Sequence, residues 1–261
     1  TTDNALNSST RSYTIKIDKT APTNTAPTVT VTTNSITVTN KQTDALSGIA
    51  STQYALKTGS TWSAWQTSNV FNNLTTNKTY SVKTKTTDNA GNSSESAELS
   101  ITTNNLTAGS LTLKHTDANG DAYTVNTWTK DSIYVALTKG SAGTTTYESI
   151  SGSAQTVAAG TTAATTVTTN GTTTLRVKTT DGMNTVYSQE YIIKIDKEAP
   201  TNAAPTVNAT TNSLTVTNKQ IDNLSGIASV QYAIYKGNSW SAWQTSNQFT
   251  GLIHNTTYKV K

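Results

Sequence analysis

The sequence predicts an all-β protein built from tandem β-sandwiches in an end-to-end array. Three observations support this prediction: short segments of alternating apolar and polar residues, a threonine content of about a fifth of the 261 residues, and a long stretch that occurs twice. β-Branched threonine suits pleated, half-exposed surfaces, and alternation with period two is typical of strands that bury one face. The length leaves room for two to three domains.

The repeated stretch combines a strand with a short, proline-containing joint. YTIKIDKTAPTNTAPT at residues 13–28 returns as YIIKIDKEAPTNAAPT at residues 191–206, an offset of 178 residues. Apolar residues alternate with polar ones over Tyr13–Ile17, which predicts a half-buried strand. Pro22 and Pro27 have no backbone N–H, so the strand cannot simply continue. A joint this short and this restrained predicts a fixed connection between domains.

The chain divides into a terminal segment and three sandwich-like units. Residues 1–17 match residues 179–195, and we interpret them as the terminal hairpin of a preceding domain or of a neighbouring subunit's domain. Residues 18–103 and 104–195 are predicted to form two sandwiches. Residues 196–261 copy the first of these but lack its last strand. Because the end of the chain joins its start in frame, the sequence predicts either continuing repeats or protomers that complete each other by strand donation.

The first sandwich is predicted to contain six strands, because turn residues separate six alternating segments. They are Thr28–Thr32, Ser35–Thr39, Thr52–Lys57, Trp62–Gln66, Thr79–Thr86 and Ala97–Thr103. The residues expected in its core are Val29, Val31, Ile36, Val38, Tyr54, Leu56, Leu74, Tyr80 and Val82. The second sandwich is predicted to have strands at Leu111–Lys114, Ser132–Thr138, Thr173–Thr179 and Glu190–Ile195. Residues 140–174 are rich in Ser, Gly, Ala and Thr and give no clear assignment.

Leu74 and Tyr80, with their copies Leu252 and Tyr258, resemble the tyrosine corner of fibronectin type III domains. In that family a Leu six residues ahead of a Tyr leads into the penultimate strand. The resemblance implies that the Tyr ring packs in the core while its hydroxyl bonds back to the turn backbone. Thr76 stands where the family pattern has a proline, so the match is partial.

A second resemblance concerns bacterial immunoglobulin-like repeats of large surface proteins. The turn at Asp88–Asn92, the Asp-Lys-x-Ala-Pro joints and the stretch at Trp128–Asp131 are similar to motifs of those repeats. Together the resemblances imply tandem immunoglobulin-like and fibronectin-III-like β-sandwiches in a secreted, extracellular protein of a bacterial cell surface. They are specific to a class of repeats and to no particular ligand.

Composition argues against several classes of function. The absence of cysteine excludes disulfides, thiol catalysis and cysteine-ligated zinc. The net charge is +4, but the lysines are scattered, and without a basic patch we expect no nucleic-acid partner. No apolar run reaches the ~18 residues of a membrane span. His115 and His254 have no nucleophile or metal motif beside them, so we expect neither catalytic residues nor enzyme activity.

No cofactor is expected, although calcium is possible at two places. Asp117, Asn119 and Asp121 stand at positions 1, 3 and 5 of a calcium loop. Positions 6 and 12 are Ala122 and Trp128, where an EF-hand needs Gly and Glu, so a hairpin turn is the simpler interpretation.

The second candidate calcium site lies at the joints. Asp18 and Asp196 belong to the joints themselves, and loop aspartates accompany them at Asp44, Asp88, Asp181 and Asp222. The resemblance to bacterial repeats suggests calcium between domains, whereas the alternative is that these aspartates cap turns.

The segment WSAW occurs at Trp62 and Trp65 and again at Trp240 and Trp243. Residues three apart on a regular strand point to opposite faces, so one Trp of each pair is expected in the core and the other outside, unless a bulge intervenes. An exposed Trp is suited to stack on a sugar or to contact a neighbouring chain. Packing within the domain is the favoured alternative, because large aromatic residues mostly carry packing.

These observations predict a structural extracellular repeat protein that forms a stiff spacer or a head-to-tail filament with itself as partner. The alternative is an adhesin or glycan-binding module that uses the exposed Trp of each repeat on cell-surface glycans. Surface domains of this general class also contain Lys–Asn isopeptide crosslinks, for which Lys16 and Lys194 qualify by residue type alone.

Overall fold

The computed structural model describes residues 1–151 and 164–261. The chain forms two compact units. The first comprises Thr1–Gly109, Lys139–Thr145 and Lys178–Tyr187, and the second comprises Ser110–Thr138, Thr146–Val177 and Ser188–Lys261. All the helical or extended structure of the described residues is β-strand. The predicted class, an all-β chain of tandem immunoglobulin-like and fibronectin-III-like sandwiches, is confirmed.

The strands at the start of the chain form two main sheets and one small one. They are β1 (Thr23–Asn24), β2 (Thr28–Val31), β3 (Ile36–Thr39), β4 (Gln42–Thr43), β5 (Ile49–Thr58), β6 (Thr61–Trp62), β7 (Val70–Phe71), β8 (Thr79–Asp88), β9 (Ser93–Glu95) and β10 (Leu99–Thr102). One sheet has the order β2-β3-β7, and the other has the order β10-β8-β5-β6 with β9 also paired to β8. A two-stranded sheet joins β1 to β4.

A single hydrophobic core lies between the two main sheets of this first sandwich. All nine residues predicted for the core belong to it, either buried or packed against its buried members. Phe71, Leu99 and Ile101 complete it. Phe71 was not predicted, because a two-residue strand between turns is too short to show alternation.

Two of the strand predictions differ from the structure by three residues or more at one end. Strand β5 begins at Ile49 and ends at Thr58, so it is longer than predicted. The strand predicted over Trp62–Gln66 ends at Trp62, and only Gln66 pairs again with β5, through an isolated bridge to Tyr54. The irregular stretch between these two points changes where the tryptophans face.

The middle strands form a second pair of sheets. They are β11 (Ser110–His115), β12 (Trp128–Thr129), β13 (Ile133–Thr138), β14 (Thr144–Ser151), β15 (Ala164–Val167), β16 (Gly171–Thr180), β17 (Thr185–Tyr187) and β18 (Tyr191–Ile195). The sheet orders are β11-β13-β15 and β12-β18-β16-β14, with β17 paired to β16. All four predicted strands are present. The strands β14 and β15 fall in the stretch without a clear assignment, part of which, residues 152–163, lies outside the described residues.

The middle core is the largest set of buried apolar residues in the described chain. It includes Ile133, Val135, Val177, Ile193 and Ile195, each without measurable exposure. The Tyr191 hydroxyl accepts a hydrogen bond from the Leu111 amide at 3.2 Å, so a buried tyrosine braces this sandwich although its sequence has no tyrosine corner.

The third set of strands repeats the first in reduced form. It consists of β19 (Thr201–Asn202), β20 (Thr206–Ala209), β21 (Ser213–Thr217), β22 (Gln220–Ile221), β23 (Ile234–Lys236), β24 (Ser239–Trp240), β25 (Gln248–Thr250) and β26 (Lys259–Val260). Its main sheets are β20-β21-β25 and β24-β23-β26. Only Val216, Ile234 and Phe249 form its buried core cluster, against seven residues in the first sandwich.

The strand predicted at Tyr13–Ile17 is not formed within this chain. Tyr13, Ile15 and Ile17 are 79%, 81% and 73% exposed and belong to no strand. Their counterparts in β18 are a strand because β16 pairs with them on one side and β12 on the other. No strand of the described chain takes that place beside Tyr13–Ile17, and an isolated extended segment has no partner for its backbone groups.

Replacing Tyr80 with Phe tests the corner at the end of the first sandwich. The Tyr80 hydroxyl accepts a hydrogen bond from the Thr75 amide at 3.0 Å, and the ring is buried. Tyr80→Phe leaves that amide without its acceptor, so we expect a loss of about 1–2 kcal/mol in the free energy of unfolding, measured by urea denaturation. Tyr258→Phe is the matched control, because the same bond to Ile253 (2.9 Å) is exposed and its loss is compensated by water. Equal losses in the two variants contradict this interpretation.

Candidate interaction sites

The joint with the most hydrogen bonds, within the first unit, lies at Thr103–Thr107 and was not predicted from sequence. Asn104 donates its backbone N–H to the Thr32 carbonyl and its side-chain amide to the Val31 carbonyl, at 2.9 and 3.1 Å. Leu106 is buried, and its amide donates to the Thr76 hydroxyl at 2.6 Å. The segment shows no alternation and no proline, so its fixed conformation comes from these partners and left no signal in the sequence.

The loop at Lys139–Thr145 packs on the same joint. Ser141 and Thr107 exchange hydrogen bonds: the Ser141 amide donates to the Thr107 carbonyl and the Thr107 amide donates to the Ser141 hydroxyl. A Cβ atom added to Gly140 would lie 2.3 Å from the Thr107 carbonyl oxygen. Glycine is therefore required at this close approach of two backbones.

A turn at Asp181–Asn184 docks on the corner turn of the first sandwich. Asn184 donates its side-chain amide to the Leu74 carbonyl at 3.1 Å, and its side-chain oxygen accepts the Thr76 amide at 3.2 Å. Asn34 donates its side-chain amide to the Asp181 carbonyl at 2.9 Å. The family pattern has a proline at the position of Thr76, and proline would lack the N–H that this contact uses. The departure from the family pattern is therefore part of the joint.

The second Asp-Lys-x-Ala-Pro joint, in the second unit, is held by side chains on both of its ends. The Asp196 amide donates to the Thr129 carbonyl, and its carboxylate accepts the amides of Ser225 and Glu198. The Lys197 amide donates to the Asn170 side chain at 3.1 Å. Hydrogen bonds from Ser225 and from the Glu198 amide hold the pKa of Asp196 below its ordinary value, so this joint carries a fixed negative charge.

Three of the candidate calcium aspartates come together in the first unit. Asp18, Asp44 and Asp88 place carboxylate oxygens within 4.8 Å of one another, and the described residues contain no other group of three or more Asp, Glu or His side chains this close. Asp44 accepts the amides of Leu46, Ser47 and Gly48, so turn capping, the alternative interpretation, is also satisfied. Calcium at this cluster stays a prediction.

Asp88 is the buried member of the cluster. Burial raises the pKa of its carboxyl, but hydrogen bonds from the Asn92 side chain and from the amides of Asn92, Ala90 and Gly91 outweigh burial and lower the pKa below 3.8. The carboxylate is therefore ionised at neutral pH and fixes the turn that joins β8 to β9.

The other calcium candidates do not form such a group. Asp117 accepts the amide of Asn119 at 2.8 Å, and the Asp121 carbonyl accepts the His115 amide at 2.8 Å. These bonds form a hairpin turn between β11 and Ala122, which pairs with Lys114 through an isolated bridge. Asp222 accepts the amides of Leu224 and Gly226 as Asp44 does in the first sandwich.

Both tryptophans of each WSAW segment lie outside the core, on one side of the sheet. On β5 Lys57 and Tyr54 are three positions apart, whereas their partners on the facing strand, Trp62 and Gln66, are four positions apart. The extra residue is a β-bulge, which resets the alternation and brings Trp62 and Trp65 to the same face. The expectation of one buried and one exposed Trp named a bulge as its exception, and that exception applies here.

In each Trp pair, both indole rings lie close to the ammonium group of one lysine. The Lys83 ammonium lies 4.7 Å from the ring centre of Trp62 and 5.0 Å from that of Trp65, and it pairs with Glu95 at 2.8 Å. In the copy, Lys261 lies 4.2 Å from the ring of Trp240 and 4.9 Å from that of Trp243. Trp240 and Trp243 are 39% and 54% exposed, more than their half-buried counterparts.

The two histidines and the two lysines considered for a crosslink lie at the following places in the structure. His115 places Nδ1 3.1 Å from the Asp131 carboxylate and 3.3 Å from the Thr129 hydroxyl, and its ring meets Tyr123 edge-on. His254 lies exposed in the corner turn. Lys194 holds its ammonium 5.8 Å from the ring of Trp128, and Lys16 is exposed.

The chain is similar to the solved FN1–FN3 domains of chicken CNTN1, with 12% sequence identity over 91% of this chain and 90% of that chain, and a TM-score of 0.27. No protein-family model and no curated protein matches the sequence. Within the described residues, no helix is long and apolar enough to cross a membrane.

Replacing Asp88 with Asn tests the charge of its buried carboxylate. Because its pKa is lower in the folded chain, the carboxylate stabilises the fold fully above its unfolded pKa, near 3.8, and this contribution is lost as the pH falls through the folded pKa. We expect the difference in unfolding free energy between the natural chain and Asp88→Asn to be constant from about pH 7 to 5 and to shrink below about pH 4. Urea midpoints measured across this range check it, and a difference that stays constant as the pH falls from about 5 to about 2 contradicts it.

Replacing Lys83 with Met tests the contact between lysine and the indole rings. Methionine keeps the apolar stem but removes the cation, so we expect a loss of about 0.5–1 kcal/mol in unfolding free energy and a change in tryptophan emission. Lys85→Met is the matched control, since Lys85 lies on the same face of β8 but, within the described residues, is not stacked on an indole ring. Equal effects of the two variants would show that the rings do not use the cation.

Proposed function

We propose that this chain is a structural part of an extracellular, bacterial surface protein, a stiff spacer that assembles head to tail with further copies of the same repeats. The observation that carries the proposal is that side chains at the joints form hydrogen bonds with backbone groups of neighbouring elements. Asn104, Asn184 and Asp196 each bond to backbone groups on elements beyond their own strand or turn. Such contacts restrict bending far more than a flexible linker would.

The exposed segment Tyr13–Ile17 supports assembly by strand addition. Its sequence nearly repeats Tyr191–Ile195, which lies in β18 antiparallel to β16 with Tyr191 opposite Leu175. Leu175–Lys178 matches Tyr258–Lys261 in the third set of strands, where β26 pairs with β23 alone. By the same register, Tyr13 of a neighbouring repeat would lie opposite Tyr258.

The apolar residues on the two sides fit this arrangement. Tyr13, Ile15 and Ile17 alternate, so all three would face one side of an added strand. Tyr258 and Val260 pack only partly against the small third core, which leaves apolar surface for such a strand to cover. Burying three large apolar side chains contributes about 1.5–3 kcal/mol each.

The glycan-binding alternative has less support. Exposure of Trp240 and Trp243 favours it, but a sugar ring stacks on the face of an indole. The Lys261 ammonium already lies over both rings. We therefore do not propose carbohydrate as the ligand of these pairs.

Charged substitutions in the exposed segment test strand addition. We expect the chain to associate with increasing concentration in sedimentation velocity, and Ile15→Lys to weaken association at least about tenfold, because it places a charge against an apolar core. Thr14→Lys is the matched control, since Thr14 alternates to the other face of the strand. Equal weakening by both variants, or a chain that stays monomeric at all concentrations, contradicts strand addition between copies.

A further inference from the structure

The corner turn of the third set of strands presents the same docking surface that the Asp181–Asn184 turn occupies on the first sandwich. Asn34, Leu74 and Thr76 form that surface, and their counterparts 178 residues later are Asn212, Leu252 and His254. We name the second set the distal corner.

The backbone of the two corners is the same. The Leu74 amide donates to the Asn34 carbonyl at 2.9 Å, and the Leu252 amide donates to the Asn212 carbonyl at the same distance. Each corner has its tyrosine hydroxyl bond, and each has an asparagine in the left-handed region, Asn77 and Asn255, with φ of 49° and 56°. A ligand that fits the first corner therefore finds matching backbone geometry at the distal corner.

The three groups that the docked turn satisfies on the first corner have no counterpart bond on the distal corner. At the first corner, the Asn34 side-chain amide, the Leu74 carbonyl and the Thr76 amide are all bonded to Asp181 or Asn184. Among the described residues, none bonds to the Asn212 side-chain amide, the Leu252 carbonyl or the His254 amide. They line a cavity of about 230 Å³ formed by residues 209–214 and 252–258.

A second turn of the required type lies in the first sandwich, at Asp88–Asn92. It joins β8 to β9 as Asp181–Asn184 joins β16 to β17. In both turns the Asp Oδ1 accepts the amide of the Asn, the Asn side chain donates to the Asp, and a glycine has φ of 92°. The Asp88–Asn92 turn is one residue longer, and its Asn92 side-chain amide donates to the Asp18 carbonyl at 3.2 Å. Among the described residues no hydrogen bond reaches the Asn92 side-chain oxygen, which corresponds to the Asn184 oxygen that accepts Thr76.

We propose that the distal corner is the docking site for the Asp88–Asn92 turn of a second copy of this chain. The Asn92 side-chain oxygen accepts the His254 amide as the Asn184 oxygen accepts Thr76, and Asn212 donates to the second lone pair of the Asp88 carbonyl, whose first lone pair accepts the Gly91 amide. The Leu252 carbonyl faces solvent in this arrangement, because the Asn92 side-chain amide is bonded to Asp18 and Asp88. The inference rests on the proposed head-to-tail assembly, in which the first sandwich of one copy follows the third set of strands of another.

A third turn of this type, at Asp3–Asn7, provides the competing occupant. Its Asp3 Oδ1 accepts the amides of Ala5 and Asn7, and its residues are exposed. In strand addition by Tyr13–Ile17, however, this turn belongs to the donated hairpin and would sit where Asp88 sits in the first sandwich, at the end opposite the corner. Trapping experiments separate the two occupants.

Disulfide trapping tests the proposal, because the chain contains no cysteine. His254→Cys protein is mixed with Ala90→Cys protein under mild oxidation, and non-reducing gels follow the dimer at about twice 27.6 kDa. Ala5→Cys replaces Ala90→Cys in the control, since Ala5 has the same place in the Asp3–Asn7 turn. We expect His254→Cys to form the mixed dimer at least about tenfold faster with Ala90→Cys than with Ala5→Cys.

Two further variants sharpen the result. Asn92→Ala on the Ala90→Cys chain is expected to reduce trapping about tenfold, whereas Asn89→Ala is expected to leave it unchanged. Far-UV circular dichroism verifies that each variant folds. Equal trapping by Ala90→Cys and Ala5→Cys, faster trapping by Ala5→Cys, or no effect of Asn92→Ala overturns the proposal.

The failure of docking and the failure of assembly give different results. Concentration-dependent association that Ile15→Lys weakens, without selective trapping, overturns the docking site alone and leaves the proposed function standing. Selective trapping that persists when the Ala90→Cys chain also carries Ile15→Lys supports docking independently of strand addition. Absence of both association and trapping overturns both proposals.

Discussion

The constraint on which the joints depend is that backbone N–H and C=O groups at the ends of a sandwich need partners. Turns at those ends have no strand to pair with, so side chains must supply the bonds. Asparagine suits this task because one amide group donates and accepts at once. Asn184 does both, to Leu74 and from Thr76, and Asn104 bonds to Val31. The asparagine- and threonine-rich composition therefore serves the connections as much as the strand surfaces.

The sandwiches were predictable because their signal is local and periodic. All nine residues expected in the first core are in it, since alternation reports directly which face of a strand is buried. The tyrosine hydroxyl reaches the corner backbone as the resemblance implied. The joint at Thr103–Thr107 could not be predicted, because Asn104 and Leu106 are fixed by partners far away in sequence. A pattern within one segment carries no information about such partners.

The tryptophans show a different limit of sequence reasoning. A single inserted residue between Trp62 and Gln66 changes the face of Trp65, and nothing in the letters WSAW marks that insertion. Only the pairing of Gln66 with Tyr54 reveals it. The carboxylate cluster is a third case: Asp18, Asp44 and Asp88 are far apart in sequence, and the meeting of their loops depends on the completed sandwich.

Because the third set of strands repeats the sequence of the first sandwich, the contacts of the two copies can be compared directly. The first sandwich has its corner covered, its lysine Lys83 paired with Glu95 and its outer sheet complete. The third set of strands repeats the same residues with a smaller core, more exposed tryptophans and an uncovered corner. The first sandwich owes these features to β9 with Glu95, to β10, and to the Asp181–Asn184 turn that docks on its corner. Under the proposed head-to-tail assembly, a neighbouring repeat would satisfy on the third set of strands the groups that the first sandwich satisfies within this chain.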